Sequence, residues 1–355
     1  MRHPLQQLAD SLAEGQAYLI TSPENRLYVT GQKTSAGTVL ITQKEAYFII
    51  DFRYFEKVRH RVSDLQMILQ ANLYEQLNEL LSSHGIKEVF AELSRMPYTE
   101  LLSWKKALAA PISDETRLDE VIGDLRNHKT EAEMKKIIAA QEMTDQAFAW
   151  ILDHIHAGRT EAEVALDLEF FCRKLGSDGV AFDFIVVSGQ KSALPHGSPD
   201  QKIIEKGDFV TMDFGCVVDG YRSDMTRTVA VEYATDEMQK VYQTVLDAQL
   251  AALQVYRPGI TGKEADAAAR DLITKAGYGD AFGHGLGHGV GIEIHEAPTA
   301  NWKSEQVMEK GMTLTCEPGI YLAGKFGVRI EDMGVFTETG FENITRSPKN
   351  LILVK

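Results

Sequence analysis

The chain has 355 residues, of which 44% are hydrophobic and 25% are charged, and its formal net charge at pH 7 is -14. A chain of this length can bury a large core and can divide into two domains, since domains usually span about 100 to 200 residues. The negative charge argues against a general role on nucleic-acid backbones or anionic lipid, because both partners require a basic surface. It is compatible with a cluster of acidic residues that binds cations.

Two sequence features predict a cytoplasmic protein. The N-terminal stretch MRHPLQQLAD lacks an apolar segment after its charges, and no apolar run approaches about eighteen residues, so we expect neither a signal peptide nor a membrane span. The cysteines, Cys172, Cys216 and Cys316, are far apart and show no C-x-x-C spacing. This usage is typical of small core residues in a reducing compartment.

The N-terminal third alternates apolar strands with helical patterns. Residues 17–20, 37–42 and 46–51 predict strands, and the spacing over 65–83 predicts a helix. This alternation indicates a small α/β domain. No cluster of candidate catalytic residues occurs in its sequence.

A polar segment, 112–130, is interrupted by Gly123 and predicts a domain boundary. We therefore expect one domain over 1–122 and a second over 123–355.

The second domain begins with helices that the sequence marks at their ends. Capping boxes pair Thr130 with Glu133, Thr160 with Glu163 and Thr261 with Glu264. Apolar residues from Met134 to Ile155 recur at spacings of three and four, which predicts one long amphipathic helix. Gly176 and Gly277 stand where the next two helices should end. The order of helix, helix and strands then repeats, which indicates an α+β fold with helices on one face of a mostly antiparallel sheet.

The same domain contains a duplication. The tripeptides Glu205-Lys206-Gly207 and Glu309-Lys310-Gly311 are each followed, six residues beyond the glycine, by an acid, Asp213 or Glu317. Upstream, residues 159–163 match 260–264 at nearly the same offset. A period of roughly a hundred residues is too long for a solenoid and suits two half-domains that face each other.

The strands of the first half place two acids on one face. Asp219-Gly220 is a strong signal for a two-residue hairpin turn, which sets Asp213 opposite Thr226 and Gly215 opposite Asp224. Because side chains alternate faces along a strand, Asp213 and Asp224 are expected to emerge on the same face.

The second half repeats this arrangement. A hairpin centred near Gly324 would set Glu317 against Glu331, so that four acids point into one space. Their formal charge of -4 could be cancelled by two divalent ions, since buried unpaired carboxylates are costly. Alternatively, individual acids pair with Arg222, Arg227 or Arg329, or face water.

A histidine-containing loop predicts a fifth ligand. Five glycines alternate from Gly283 to Gly291, and the stretch contains His284, His288 and, slightly later, His295. The absence of a G-x-G-x-x-G pattern gives a dinucleotide site no support. His284 and His288 have zinc-pair spacing for a helix, but this much glycine disfavours a helix, so the spacing alone is weak evidence.

The order of these residues and the phrases around them resemble a known family. The candidate ligands are, in order, Asp213, Asp224, His288, Glu317 and Glu331, and the phrases are MDFG, HGVGIEIHEAP, EPGIY and VRIED. They are similar to the creatinase/prolidase/methionine aminopeptidase family of "pita-bread" metallopeptidases, and most of all to Xaa-Pro dipeptidases (prolidases) and Xaa-Pro aminopeptidases. SPENRLYVTG and IIDFRYFEKV also resemble that family's N-terminal domain. The resemblance implies a pita-bread catalytic domain with an internal pseudo-two-fold repeat, preceded by a smaller α/β domain.

The resemblance also implies two divalent metal ions per subunit, manganese or cobalt, which an oxygen-rich ligand set suits. Asp213 and Glu331 would bridge the ions, Asp224 would complete the shell of one, and His288 with Glu317 that of the other. Two ions about 3.5 to 4 Å apart activate a water for attack and polarise the scissile carbonyl.

Further roles follow from the same resemblance. Glu317 would also move a proton from the water towards the leaving amine. His196 and His295 match outer histidines that bind substrate and stabilise the oxyanion. Arg329 would orient Asp213 or meet a substrate carboxylate, and His284 would face the substrate.

The implied activity is hydrolysis of an Xaa-Pro bond in a dipeptide or short peptide by a cytosolic homodimer. The scissile nitrogen of such a bond has no hydrogen, so selectivity for proline must come from pocket shape. Alternatives are an Xaa-Pro aminopeptidase that acts on longer peptides, a methionine aminopeptidase, a creatinase-like amidinohydrolase and a non-catalytic peptide-binding module on the same fold. Methionine aminopeptidases usually lack such an N-terminal domain, and the amidinohydrolases lack the full ligand set.

Overall fold

The computed structural model describes residues 4–355, so residues 1–3 of the predicted first domain lie outside the described residues. The chain divides after Arg126 into two compact units. The predicted boundary between 122 and 123 falls inside the last helix of the first unit, and the domain limits 1–122 and 123–355 stay a prediction.

The first unit is a mixed five-stranded sheet with helices. Its helices are α1 (Pro4–Asp10), α2 (Pro23–Thr30), α3 (Phe52–Val58), α4 (Leu73–Ser83), α5 (Tyr98–Ala107) and α6 (Arg117–Asn127). Its strands are β1 (Gln16–Ile20), β2 (Thr38–Thr42), β3 (Ala46–Ile50), β4 (Gln66–Leu69) and β5 (Glu88–Ala91), in the sheet order β4-β3-β2-β1-β5. The predicted α/β class and the three predicted strands are confirmed.

The predicted helix over 65–83 is wrong in its first part. Gln66–Leu69 forms strand β4, which pairs in parallel with β3 and places Gln66 opposite Tyr47. The helix begins only at Leu73. Pairing with the sheet edge, a contact distant in sequence, overrides the helical spacing of the apolar residues.

The second unit contains two similar halves. The first half comprises α7 (Glu131–Ile151), α8 (Glu161–Lys174), β6 (Ile185–Ser188), β7 (Phe209–Phe214), β8 (Val217–Val218), β9 (Tyr221–Arg222) and β10 (Met225–Val231). The second half comprises α9 (Asp236–Val255), α10 (Gly262–Lys275), β11 (Gly287–Gly289), β12 (Glu296–Ala300), β13 (Thr313–Cys316), β14 (Gly319–Leu322), β15 (Phe326–Arg329) and β16 (Asp332–Phe336). Strands β17 (Phe341–Asn343) and β18 (Leu353–Val354) follow. Two 3-10 turns, Gly189–Ala193 and Gly279–Ala281, precede β7 and β11.

The helix ends are formed as the sequence predicts. Each of the three predicted capping boxes is present, with the threonine oxygen accepting from the glutamate backbone N–H and the glutamate accepting in return. Gly176 and Gly277 follow the caps of α8 and α10 with φ of 106° and 91°, which a side chain would strain. Helix α7 ends at Ile151, before the predicted Ile155. Among the helices described, none combines the length and apolarity that crossing a membrane requires.

Packing of the two halves explains where the acids point. Met212 and Phe214 of β7 belong to a buried cluster with residues of α7 and α8. Asp213 lies between them in the strand and therefore faces the other way, towards the second half. In the second half, Val328 and Ile330 pack in the cluster that includes α9 and α10. The residues of opposite parity, Arg329 and Glu331, accordingly face the first half.

The predicted hairpin register of the first half is confirmed. Asp213 lies opposite Thr226, and Val218 lies opposite Tyr221. Asp219 and Gly220 have φ of 48° and 84°, the two positive values that a type I′ turn requires.

The second half has the matching register. β13 pairs with β16, with Cys316 opposite Asp332, and β14 pairs with β15, with Gly319 opposite Arg329. The two ladders share one register, so Glu317 and Glu331 occupy opposing positions in the gap between them. Gly324, with φ of 74°, lies in the turn as predicted.

Candidate functional site

All predicted site residues line one cleft of about 890 Å³ in the second unit. They are His196, Asp213, Asp224, His284, His288, His295, Glu317, Arg329 and Glu331. The acids come from the ends of paired strands in both halves. His284 and His295 precede and follow β11, and His288 lies in β11 itself. Two segments separated by a hundred residues thus supply one site.

Three side chains that could hold a metal ion lie close together in the cleft. One ligand atom from each of Asp224, His288 and Glu331 lies within 4.8 Å of the others. Thr226, the cross-strand partner of Asp213, donates from Oγ1 to Oε2 of Glu331 at 2.7 Å. This hydrogen bond fixes one oxygen of Glu331 and leaves its other oxygen available to a ligand.

His288 presents its Nε2 atom to the acids. Its Nδ1 lies 3.1 Å from the carbonyl oxygen of Gly289, which can only accept, so Nδ1 is the protonated nitrogen. Nε2 lies 3.3 Å from Oε1 of Glu317 and 3.6 Å from Oδ2 of Asp224. A histidine whose second nitrogen donates to a backbone carbonyl has the orientation that metal ligands usually show.

Burial and mutual repulsion change the pKa values of the acids in the cleft. Burial raises the pKa of Asp213, and burial together with neighbouring carboxylates raises the pKa of Asp224 and of Glu331 well above the ordinary value. Burial also acts to raise the pKa of Glu317, but its hydrogen bond and ion pair with His288 lower that pKa to about 2. Burial acts to lower the pKa of His288, while Glu317 and Asp224 raise it to about 9. Packing these carboxylates together without a cation is therefore unfavourable.

Arg329 connects the halves through Asp213. Its Nη2 donates to Oδ2 of Asp213 at 2.6 Å, and its Nε donates to Oγ1 of Thr226 at 3.0 Å. Oδ1 of Asp213 is buried and has no hydrogen-bond partner among the described residues. Of the arginine pairs considered from the sequence, this one involves a candidate ligand.

The other two arginines are engaged elsewhere. Arg227 pairs with Asp332, and Arg222 donates to the carbonyl of Ala181. Neither of these contacts neutralises one of the four candidate acids.

A hydrogen-bond chain continues from Arg329 to His284. Nη1 of Arg329 donates to the hydroxyl of Tyr321 at 3.0 Å, and that hydroxyl lies 2.9 Å from Nε2 of His284. Nδ1 of His284 lies 2.8 Å from the carbonyl of Gly285 and must donate, so Tyr321 donates to Nε2. Burial lowers the pKa of His284, which agrees with a neutral ring held by two partners.

The outer histidines lie beside the ligand group. The ring of His295 lies edge-on to that of His288, with centroids 4.4 Å apart, and burial together with His288 lowers the pKa of His295. His196 follows Pro195, whose carbonyl accepts from Nη1 of Arg329 at 3.2 Å. The rings of His196 and His295 therefore border the space in front of the acids.

Two residues in this network were not predicted from the sequence. The sequence indicates Thr226 only as the cross-strand partner of Asp213, and it gives Tyr321 no role. Tyr321 has a weak signal, because it shares strand parity with Gly319 and lies two residues into a strand that follows Glu317. Its contact with Arg329 depends on the pairing of β14 with β15, which leaves no local sequence pattern.

Comparison with known proteins agrees with this geometry. Residues 135–338 match the model of metallopeptidase family M24, and residues 5–128 match that of the creatinase/prolidase N-terminal domain. The chain is 37% identical over 338 residues to an Xaa-Pro dipeptidase of Pyrococcus horikoshii, covering 95% of this chain and 94% of that protein.

Solved structures show the same similarity. An Xaa-Pro dipeptidase from Bacillus anthracis has a TM-score of 0.95 at 41% identity, with 99% of both chains covered. An X-Pro aminopeptidase from Thermotoga maritima has a TM-score of 0.90 at 35% identity, with 98% of this chain and 99% of that chain covered.

Proposed function

Since the chain belongs to metallopeptidase family M24, we propose that it is an Xaa-Pro dipeptidase, a prolidase that hydrolyses the bond before proline in dipeptides. The observation that supports this most is the convergence of acids from both halves with His288 in one cleft. The dipeptidase names of relatives that match the chain along nearly its whole length favour this activity over the alternatives.

The donor set fits divalent cations. Four carboxylates and one neutral imidazole nitrogen suit manganese or cobalt, and Oδ1 of Asp213 is a buried oxygen with no hydrogen-bond partner in the described part of the chain. In this proposal two ions would be held by these five residues, with Asp213 and Glu331 shared between the ions, Asp224 serving one ion, and His288 and Glu317 serving the other. Bound ions would supply Lewis acidity to a water and to the scissile carbonyl.

Glu317 has the position and charge of a proton carrier. In the proposed reaction its carboxylate accepts a proton from the attacking water as the new C–O bond forms. It then gives that proton to the proline nitrogen as the C–N bond breaks, so that the amine leaves neutral. Its Oε1 lies 3.3 Å from Nε2 of His288, which places the carboxylate beside the other candidate ligands.

In this proposal the outer histidines, His196 and His295, act on the carbonyl group of the scissile bond. His196 and His295 border the ligand group, and an imidazole N–H donates a hydrogen bond where negative charge develops on the carbonyl oxygen. We assign them to substrate binding and oxyanion stabilisation.

Arg329 and His284 have supporting roles in the proposal. Arg329 holds Asp213 in place and is already engaged by Tyr321, so orientation of the acid is favoured over binding of a substrate carboxylate. His284 contacts the substrate through its ring surface, because both of its nitrogens have protein partners.

The finer assignments belong to the same proposal. A cytoplasmic location is supported by three buried cysteines that are all free. A net charge of -14 supports the absence of nucleic-acid and membrane partners. A homodimer is implied by the family resemblance, and the domain limits 1–122 and 123–355 rest on the polar segment 112–130.

A substrate panel tests the proposal. The chain is freed of metal, reconstituted with Mn²⁺ or Co²⁺, and assayed on Ala-Pro, on Ala-Ala as a matched control, and on an Ala-Pro-containing tripeptide. We expect hydrolysis of Ala-Pro alone. Preference for the tripeptide would favour the aminopeptidase alternative, and no hydrolysis of any peptide with either metal would favour a non-catalytic binding module.

A further inference from the structure

Helix α10 contains an ion pair between a partly exposed arginine and a buried acid, and the proposed function gives this pair no role. Arg270 donates to the carboxylate of Asp266 twice, from Nε at 2.6 Å and from Nη2 at 2.9 Å. The side chain of Asp266 is 1% exposed. A two-pronged ion pair of this kind on adjacent helical turns fixes the guanidinium plane as well as its position.

The fixed guanidinium then holds the backbone of the histidine loop, which we define as residues 282–291. Nη1 of Arg270 donates to the carbonyl of Phe282 at 2.8 Å, and Nη2 donates to the carbonyl of His284 at 2.7 Å. Oδ1 of Asp266 accepts from the backbone N–H of Leu286 at 3.1 Å. The pair therefore anchors three alternate residues of a loop that contains His284 and leads into His288.

Two aromatic rings add to this anchoring. The Arg270 guanidinium lies 4.2 Å from the ring centroid of Phe282 and 4.9 Å from that of Trp302. Planar stacking and fork-shaped donation are both properties of arginine that lysine lacks. The site is therefore built for arginine and not simply for a positive charge.

The duplication provides an internal comparison. When Thr160 is aligned with Thr261, the positions of Asp266 and Arg270 correspond to Ala165 and Glu169 in α8. The strand of the first half that follows α8, β6, contains no histidine. The ion pair is thus present in the second half, which contains the histidine loop. In the first half, alanine and glutamate take its place.

We propose that Asp266 and Arg270 are positioning residues that hold the histidine loop so that Nε2 of His288 points at Glu317 and Asp224. Five alternating glycines give this loop unusual backbone freedom, and an external anchor removes that freedom. Beyond the anchor, the backbone N–H of His288 donates to Oγ1 of Thr315 at 3.0 Å. The inference rests on the proposed function only in that His288 is taken as a metal ligand.

Hydrogen exchange of the metal-free chain tests the anchoring directly. We expect Arg270→Met to increase amide exchange across residues 282–291, and Arg270→Lys to increase it less. Arg173→Met is the matched control, since Arg173 pairs with Glu169 on α8 at 3.7 Å and donates to the carbonyl of Asp178 at 2.8 Å, away from the ligands. Exchange of the histidine loop that equals wild type in Arg270→Met would overturn the proposal.

A double-mutant cycle that measures binding of Co²⁺ alone tests whether Arg270 affects metal binding through His288. Arg270→Met and His288→Ala should each weaken Co²⁺ binding by about tenfold to a hundredfold, as is usual when a group behind a ligand or the ligand itself is lost. Combined, they should weaken it no more than His288→Ala does, because Arg270 acts through His288. Additive losses would contradict the proposal and indicate a general structural role.

A further variant and a readout that needs no metal keep the outcomes distinct. If Arg270→Met does not fold, Asp266→Asn removes the charge at unchanged volume and takes its place in both experiments. The exchange measurement needs neither metal nor substrate. A wild-type chain that bound no Co²⁺ or cleaved no Xaa-Pro peptide would therefore refute the proposed function, while the exchange result would still decide the anchoring.

Discussion

Arg329 and Asp213 form a buried ion pair, with Nη2 of the arginine 2.6 Å from Oδ2 of the acid. Asp213 lies on β7 of the first half and Arg329 on β15 of the second. The pair therefore joins the two halves at the candidate metal centre. It also leaves Oδ1 of Asp213 without a hydrogen-bond partner among residues 4–355.

Replacement of this arginine should weaken metal binding. Arg329→Met leaves the Asp213 carboxylate without its counter-ion, and we expect affinity for Mn²⁺, measured by calorimetry, to fall by about tenfold to a hundredfold. Arg329→Lys should lose less Mn²⁺ affinity, since lysine retains the positive charge but lacks the planar, two-pronged guanidinium donor. Arg53→Met removes an exposed arginine of the first unit as control. Wild-type affinity in Arg329→Met would show that Asp213 needs no such orientation.

The glycines of the histidine loop differ in what they tolerate. A Cβ at Gly287 would lie 2.2 Å from the carbonyl oxygen of Thr315, whereas one at Gly283 would meet nothing within 4 Å. Gly287→Ala must push β11 away from β13, so we expect loss of Ala-Pro hydrolysis and weaker Mn²⁺ binding. Gly283→Ala should behave like the wild type in both assays. Equal behaviour of the two variants would mean that close packing of β11 on β13 is not required.

Loss of an outer histidine should lower turnover and leave the metal content unchanged. His295→Ala removes a donor beside the ligand group, and loss of one such donor typically lowers kcat by about a hundredfold to a thousandfold. The metal content of the variant, measured by plasma mass spectrometry, should match that of the wild type. His154→Ala, which replaces an exposed histidine, is the control. A drop in metal content would instead make His295 a ligand.

Alkaline pH should destabilise the fold in part through Tyr242. Burial raises its pKa from the ordinary value of 10.0 to about 12, so the folded state keeps the phenol proton that the unfolded state releases. This contribution to stability is fully present below pH 10 and is lost as pH rises through 12, by about 1.4 kcal/mol for each pH unit between the two values.

The matched variant isolates that contribution. Tyr242→Phe also removes a 2.8 Å hydrogen bond to the carbonyl of Lys349, so it should be less stable at neutral pH. In urea unfolding, its deficit relative to wild type should shrink as pH rises from 10 to 12. Tyr98→Phe, at an exposed tyrosine, is the control. A constant deficit would show that this phenol does not link stability to pH.

Local signals predicted much of this fold, and distant pairing accounts for the failures. The Asp219-Gly220 turn was enough to predict that Asp213 lies opposite Thr226, because a two-residue turn and the strand period together determine the register. Gln66–Leu69 was mistaken for helix because its strand character comes from a neighbour in the sheet.

Local sequence patterns also predicted part of the site, and contacts between residues distant in sequence account for the rest. The convergence of the duplicated acids with the histidines of the loop was predictable, and all of these residues line the cleft. Tyr321 and the Asp266–Arg270 pair were not predictable. On a sequence, an acid and an arginine four residues apart are indistinguishable from an ordinary surface pair on a helix.

The most direct test is metal content measured together with turnover in ligand variants. Asp213→Ala and Glu331→Ala each remove one proposed bridging acid, and far-ultraviolet circular dichroism checks that the fold persists. Wild-type chain reconstituted with Mn²⁺ should bind two ions and hydrolyse Ala-Pro, while each variant should lose bound metal and all detectable turnover. A folded variant with wild-type metal content and wild-type rate would contradict the proposed centre.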